Sequence, residues 1–163
     1  MRVFRRLGLR LFGCVSIGVL LFTEVTLGQD VPKVVIVYPP DGTAFDRGCE
    51  RFTKVAANPS HIKEAAARLQ EFQTAWDELG PRLTQTALRE VGIPYPYREV
   101  QATLTACNLG MGGTSSPLLM YVEPYVRTEN RRPMWVFAEQ LYHELMHTYA
   151  RVSAIGASEE VFL

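Results

Sequence analysis

The chain has 163 residues, of which 47% are hydrophobic and 21% charged, and this is enough for one domain with its own core. Lysine and arginine together number 17, as do aspartate and glutamate, so the formal net charge is zero. A nucleic-acid-binding protein needs an excess of basic residues against the phosphates, and this balance argues against a nucleic acid as the partner.

The first 28 residues have the three parts of a secretory signal peptide. Four arginines precede an apolar run from Leu11 to Phe22, and a cleavage site follows at residues 26–28. Cleavage after Gly28 leaves residues 29–163 as the mature domain. The apolar run is shorter than the roughly 20 residues that a transmembrane helix needs, although an uncleaved membrane anchor is the alternative. We therefore expect a secreted or periplasmic protein with no stable membrane span after cleavage.

The cysteine count fits export. Cys14 leaves with the signal peptide, so Cys49 and Cys107 remain as a single pair. In an oxidising compartment such a pair predicts a disulfide, with two buried free thiols as the alternative. Zinc ligation by these cysteines is disfavoured because neither belongs to a C-x-x-C pair.

In the first half of the mature chain the pattern predicts one strand and two helices. Lys33–Val37 is a β-branched run typical of a buried strand, and Thr43–Asn58 is too mixed to assign. His61–Leu79 has apolar residues in steps of three and four, which predicts an amphipathic helix. Gly80-Pro81 predicts that this helix ends and that a second one, Pro81–Val91, begins.

The second half predicts two strands and a long helix. Arg98–Ala106 alternates apolar and polar residues as a half-buried strand does, and Leu118–Val122 is a second short strand. The glycine-rich residues 108–113 between them are predicted to form a flexible loop. Met134–Ala150 contains no helix breaker and is predicted to be one helix. The expected order is strand, helix, helix, strand, strand, helix.

The long C-terminal helix carries the most specific motif of the chain, His143-Glu144-Leu145-Met146-His147, which reads H-E-x-x-H. Residues four apart lie one turn above each other on one helix face, so the two imidazoles can bind one Zn²⁺ and Glu144 can reach a water beside it. The third histidine, His61, has no predicted role. Both motif histidines fall off the predicted packing stripe, which consists of Met134, Phe137, Ala138, Leu141, Leu145 and Tyr149.

With this motif on a helix that follows a strand pair, the last 65 residues or so resemble the zincin metallopeptidases. The resemblance implies an α+β fold in which a small mixed sheet packs on helices and the motif lies on the long C-terminal helix. It also implies a peptide or protein substrate that pairs with an edge strand of the sheet. By analogy, Arg98–Ala106 and Leu118–Val122 are candidates for that edge and its neighbour.

The third zinc ligand is not evident from the motif. A metzincin would have a third histidine at the position of Ser153, so the chain is closer to the gluzincin pattern, in which a glutamate follows on a later helix. Glu159 and Glu160 are the only downstream glutamates, at the start of a short helix that Ser158 would cap. Their closeness to His147 departs from the usual spacing, and no oxyanion-stabilising residue can be identified. A chain that continues beyond Leu163 is therefore the alternative.

The resemblance implies an exported zinc peptidase in which a metal-activated water attacks the peptide bond and Glu144 is the general base. Glu139, one turn before His143, is either a residue that orients this histidine or a plain solvent-facing side chain. The alternative function is a non-catalytic metal-binding or interaction domain of the cell envelope, for which the missing third ligand is the reason. Zinc-dependent hydrolysis of a substrate other than a peptide is a third hypothesis.

Overall fold

The computed structural model describes residues 31–153, so the predicted signal peptide and Glu159 and Glu160 lie outside the described residues. The fold is mixed α/β. Within this range no helix is long and apolar enough to cross a membrane. The elements in chain order are β1 (Lys33–Val37), α1 (Ala44–Thr53), α2 (Pro59–Ala67), α3 (Leu69–Val91), β2 (Glu99–Thr105), β3 (Gly113–Ser115), β4 (Leu118–Tyr121), α4 (Glu123–Val126) and α5 (Met134–Val152).

The four strands form one small mixed sheet in the order β1-β2-β4-β3. β1, β2 and β4 are parallel, and β3 pairs antiparallel with β4 through Gly113 opposite Met120 and Ser115 opposite Leu118. The prediction for the edge strand was therefore wrong. Arg98–Ala106 contains the central strand β2, and the edge is β3, which begins in the segment predicted to be a loop. Leu118–Val122 contains β4, the neighbour of that edge.

The opposite edge of the sheet is closed by a side chain. Gln73 of α3 accepts a hydrogen bond from the backbone N–H of Ile36 at 2.9 Å and donates one to the carbonyl of Val34 at 3.1 Å. The amide thus takes the place of a neighbouring strand along β1 and satisfies backbone groups that an edge would leave open. Among the described strands, β3 is the other edge, and one of its backbone groups, the Ser115 carbonyl, accepts from the Thr148 hydroxyl.

The long helical region is divided at a different place from the predicted one. α2 ends at Ala67, and Arg68 leaves the helical conformation before α3 runs without interruption through Gly80 and Pro81 to Val91. The Arg68 guanidinium holds the joint, because it donates to the carbonyl of Tyr125 at 2.7 Å. Proline usually breaks a helix, but here buried residues on both sides of it, including Trp76, Thr84 and Leu88, pack against the core and keep α3 continuous.

Helix α1 occupies the segment that the pattern left unassigned. Thr43 caps it in a reciprocal capping box with Asp46. Asp46 is only 5% exposed, and its carboxylate also accepts three tertiary hydrogen bonds. The donors are the Tyr38 hydroxyl, the Thr105 hydroxyl and the Ala106 N–H, so the carboxylate connects α1 to the ends of β1 and β2. These tertiary bonds, which have no local pattern, explain why the helix was missed. One turn after Asp46, a disulfide joins Cys49 to Cys107, the pair that the cysteine count predicted.

The motif helix α5 packs mainly on α3 and covers the core with one face. Its fully buried residues are five of the six in the predicted stripe, and Met134 at the start of the helix is half-buried. Aromatic rings meet edge to face where α5 contacts α3 and α4, with 4.8 Å between the ring centroids of Phe72 and Phe137. The other face of α5 is thereby directed away from the core. The buried residues of α5 are Phe137, Ala138, Leu141, Leu145 and Tyr149.

Candidate active site

The two motif histidines lie side by side on the outer face of α5. His143 is exposed, His147 is half-buried, and their Nε2 atoms are 3.0 Å apart. The rings stand nearly perpendicular, with 4.5 Å between their centroids. This arrangement follows from the helical spacing of four residues together with the burial of the opposite face, which leaves both imidazoles at the surface.

Glu144 lies beside this pair, where α5 meets the edge strand. The side chain is half-buried, and a Cβ atom added to Gly113 would be 2.9 Å from its Cγ atom. Glu144 and His143 line a cleft of about 400 Å³ between α5 and the segment that leads into β3. The other residues that line the cleft are Gly112, Val136, Glu139 and Gln140.

Further contacts fix β3 along α5. The Thr148 hydroxyl donates to the carbonyl of Ser115 at 2.9 Å, one turn after Glu144. At the end of the helix, Arg151 donates to the Ser115 hydroxyl at 3.4 Å. Gly112 and Gly113 allow the close approach at the other end, because the helix side chains occupy the space in which their own side chains would lie. The edge strand therefore runs directly beside the motif.

Of the other residues considered from the sequence, Glu139 shares the cleft with His143, whereas His61 does not. Glu139 lines the cleft and is exposed, but no hydrogen bond joins it to His143 in this part of the chain. His61 lines a separate cavity of about 480 Å³ beside the disulfide. In the described range no three potential ligands among His, Cys, Asp and Glu form a group. Glu159 and Glu160 lie outside that range.

Two residues of the site were not identified from the sequence. Gln140 lines the cleft one turn before Glu144, and the buried Tyr125 donates a hydrogen bond to its Oε1 atom. Burial raises the pKa of Tyr125, so its hydroxyl stays protonated and remains a donor. Helical spacing already places Gln140 on the side of the histidines, but its partner comes from α4, which the pattern did not predict.

Comparison of the chain with protein-family models, with curated proteins and with solved structures found no match. The function is therefore inferred from the residues of the site and from their geometry.

Proposed function

We propose that this chain is an exported zinc-dependent peptidase with Glu144 as its general base. The observation that carries the proposal is the convergence of the His143 and His147 Nε2 atoms to 3.0 Å on the outer face of α5, next to Glu144 and the edge strand. Two imidazoles for the metal, a carboxylate beside them and a strand edge for the substrate are components that a metal-assisted peptidase uses.

The histidine pair fits a zinc ion. Tetrahedral zinc with Zn–N bonds of about 2.0–2.1 Å holds two nitrogen ligands about 3.3–3.4 Å apart. The observed 3.0 Å is close to that separation, so small rotations of the two rings suffice. Imidazole nitrogens are among the usual zinc ligands. When bound, zinc would supply Lewis-acid polarisation of the scissile carbonyl and of a water molecule.

The chain's own residues would perform the proton transfers and bind the peptide. Glu144 would accept a proton from the attacking water and pass it to the leaving amine, the role of a general acid–base residue. β3 would pair with an extended peptide through the backbone groups of its outer edge other than the Ser115 carbonyl, which already accepts from Thr148. Glu159 or Glu160 would supply the third ligand, as the gluzincin resemblance implies.

Export is part of the proposal and is supported by two independent features. The first 28 residues have the pattern of a signal peptide, and the Cys49–Cys107 disulfide suits an oxidising compartment. A peptide or protein outside the cytoplasm would then be the substrate.

Metal analysis tests the zinc site. We expect about one zinc per chain in the full-length protein and a large loss in a variant in which His143 and His147 are both alanine. His61→Ala is the matched control, since this third histidine lines a different cavity, and it should keep the metal. Equal zinc content in the double variant and the parent would rule out the proposed centre.

Activity on a broad peptide library tests the general base. Glu144→Gln should retain zinc and lose at least about two orders of magnitude in kcat, the usual contribution of such a group. Glu78→Gln on the exposed face of α3 is the control for the same chemical change and should behave as the parent. A Glu144→Gln variant that cleaves the library as fast as the parent would show that Glu144 is not the base.

The second candidate is a non-catalytic metal-binding or interaction domain. The observation in its favour is that residues 31–153 bring only two ligands together at the motif. The two functions differ in one measurement: zinc held through His143 and His147 without peptide cleavage by the parent protein supports the second.

A further inference from the structure

One polar side chain in the cleft is held at one end only. Gln140 is half-buried on α5, one turn before Glu144, and its Oε1 atom accepts a hydrogen bond from the Tyr125 hydroxyl. Its Nε2 atom has no hydrogen-bond partner among residues 31–153. A side-chain amide has two N–H donors, and here both remain available to a ligand in the cleft.

The surroundings of Tyr125 determine which end of the amide faces the cleft. The ring is fully buried between Phe72 and Phe137 and cannot turn away. Arg132 lies near the Tyr125 oxygen and partly opposes the rise in its pKa that burial causes. The Tyr125 O–H donates to the amide oxygen of Gln140, so the other end of the amide, Nε2, is left to face the cleft. The reverse orientation of the amide would leave that O–H without an acceptor.

The position of Nε2 depends on Gly112. A Cβ atom at residue 112 would be 2.6 Å from Nε2, so any other residue there would displace the amide. The glycine thus leaves room for Gln140 against the segment that leads into the edge strand. The hydrogen bond from Tyr125 polarises the Gln140 amide at its carbonyl oxygen and so strengthens Nε2–H as a donor.

We propose that Gln140 binds the substrate by donating Nε2–H to a neutral amide carbonyl oxygen of a peptide lying in the cleft. The inference rests on the proposed peptidase function and adds a binding residue to that site. Tyr125 is a positioning residue, because it acts only through Gln140.

The charge of the cleft selects among oxygen acceptors. The carboxylates of Glu139 and Glu144 line the same cleft as Gln140. In the metal-free protein these like charges repel an added carboxylate, so a neutral carbonyl is accepted where a carboxylate is disfavoured. Gln140 should therefore discriminate between a peptide amide and a free carboxylate.

Nuclear magnetic resonance of the uniformly ¹⁵N-labelled full-length chain, freed of metal with a chelator so that acetate cannot bind zinc, tests the donor without reference to catalysis. The probes are N-acetylglycine N-methylamide and acetate at equal concentration. We expect the neutral amide to shift the Gln140 side-chain signals, which Gln140→Met identifies by their loss, and acetate to leave them in place. Gln73 is the matched control, since its Nε2 already donates to Val34 and Asp77. Equal shifts at Gln73 and Gln140, or a larger shift with acetate, would overturn the proposal.

Kinetics on cleaved peptides separate binding from structure. Gln140→Met and Tyr125→Phe both remove the bond between these residues, but only the first removes Nε2. We expect Gln140→Met to raise KM at least about tenfold with kcat within about threefold, and Tyr125→Phe to raise KM less. Equal effects would reduce Gln140 to a structural role. If the parent cleaves no peptide, the proposed function fails, and the resonance experiment still decides the role of Gln140.

Discussion

Replacing Gly113 by alanine probes whether the edge strand must touch the motif helix. A Cβ atom at this position would be 2.8 Å from the Leu119 carbonyl oxygen, 2.9 Å from Glu144 Cγ and 3.0 Å from Met120 Sδ. The first of these is backbone of β4, which pairs with β3, so it cannot yield without opening the edge of the sheet. The second would push Glu144 away from its place beside the histidines.

The expected cost follows from these contacts. Overpacking of this kind destabilises the folded protein by about 1–3 kcal/mol. Alanine also lowers the conformational entropy of the unfolded chain, which stabilises the folded protein by about 0.4–1 kcal/mol. We expect Gly113→Ala to lower the free energy of unfolding by about 1–2 kcal/mol, which moves the urea midpoint by about 0.5–1 M. Peptidase activity should fall as well.

Gly48→Ala in α1 is the matched control. A Cβ atom there meets only the Phe52 ring at 3.4 Å, and helix propensity favours alanine over glycine by about 0.5–1 kcal/mol. The control should be as stable as the parent or more so. A Gly113→Ala protein with an unchanged urea midpoint and full activity would refute the close contact between β3 and α5.

Three further predictions concern stability. Tyr95→Phe should leave the free energy of unfolding unchanged or raise it by up to about 1–3 kcal/mol, since the buried Tyr95 hydroxyl has no partner among residues 31–153. Tyr149→Phe should lower that free energy by about 1 kcal/mol, because the Tyr149 hydroxyl donates to the Ile93 carbonyl. Urea titration compares the two variants with the parent. Burial raises the pKa of Tyr95 to about 12, whereas the unfolded chain loses this proton near pH 10. Ionisation of Tyr95 in the unfolded state therefore leaves the free energy of unfolding unchanged below about pH 10 and lowers it as the pH rises to about 12, and Tyr95→Phe should reduce that alkaline loss. The disulfide between Cys49 and Cys107, 58 residues apart, should contribute about 4 kcal/mol in the chain-entropy model, and intact mass after alkylation should show two modified thiols only in reduced protein.

The features with a local pattern were predictable from the sequence. The stripe of α5 recurs every three or four residues, so the burial of Phe137, Leu141 and Leu145 follows from the helical repeat. The same repeat places His143 and His147 on the opposite face, as the structure has them. β1 and β2 were recognised by their β-branched or alternating residues, and β4 as a short apolar run that ends before Pro124. α3 ends at Val91, as the glycine that follows it predicts.

The division of the helical region was not predictable because the deciding contacts are tertiary. Gly80-Pro81 is a strong local signal for a helix end. The burial of Trp76 and Leu88, which keeps α3 continuous, is not visible in the local sequence. The true joint at Arg68 has no breaker. It depends on a bond to the Tyr125 carbonyl, 57 residues away in the chain.

The edge strand shows most clearly how the site depends on contacts that are distant in sequence. Adjacent glycines are usually assigned to loops, because glycine is weak in both helices and strands. The same residues are required where a backbone approaches another element closely. Gly112 makes room for Gln140 and Gly113 for Glu144, two residues that lie one helical turn apart on α5. The glycines therefore have a packing role that becomes visible only when the later helix is in place. In this chain the contact brings the edge strand to the H-E-x-x-H motif, and the proposed peptide binding depends on it.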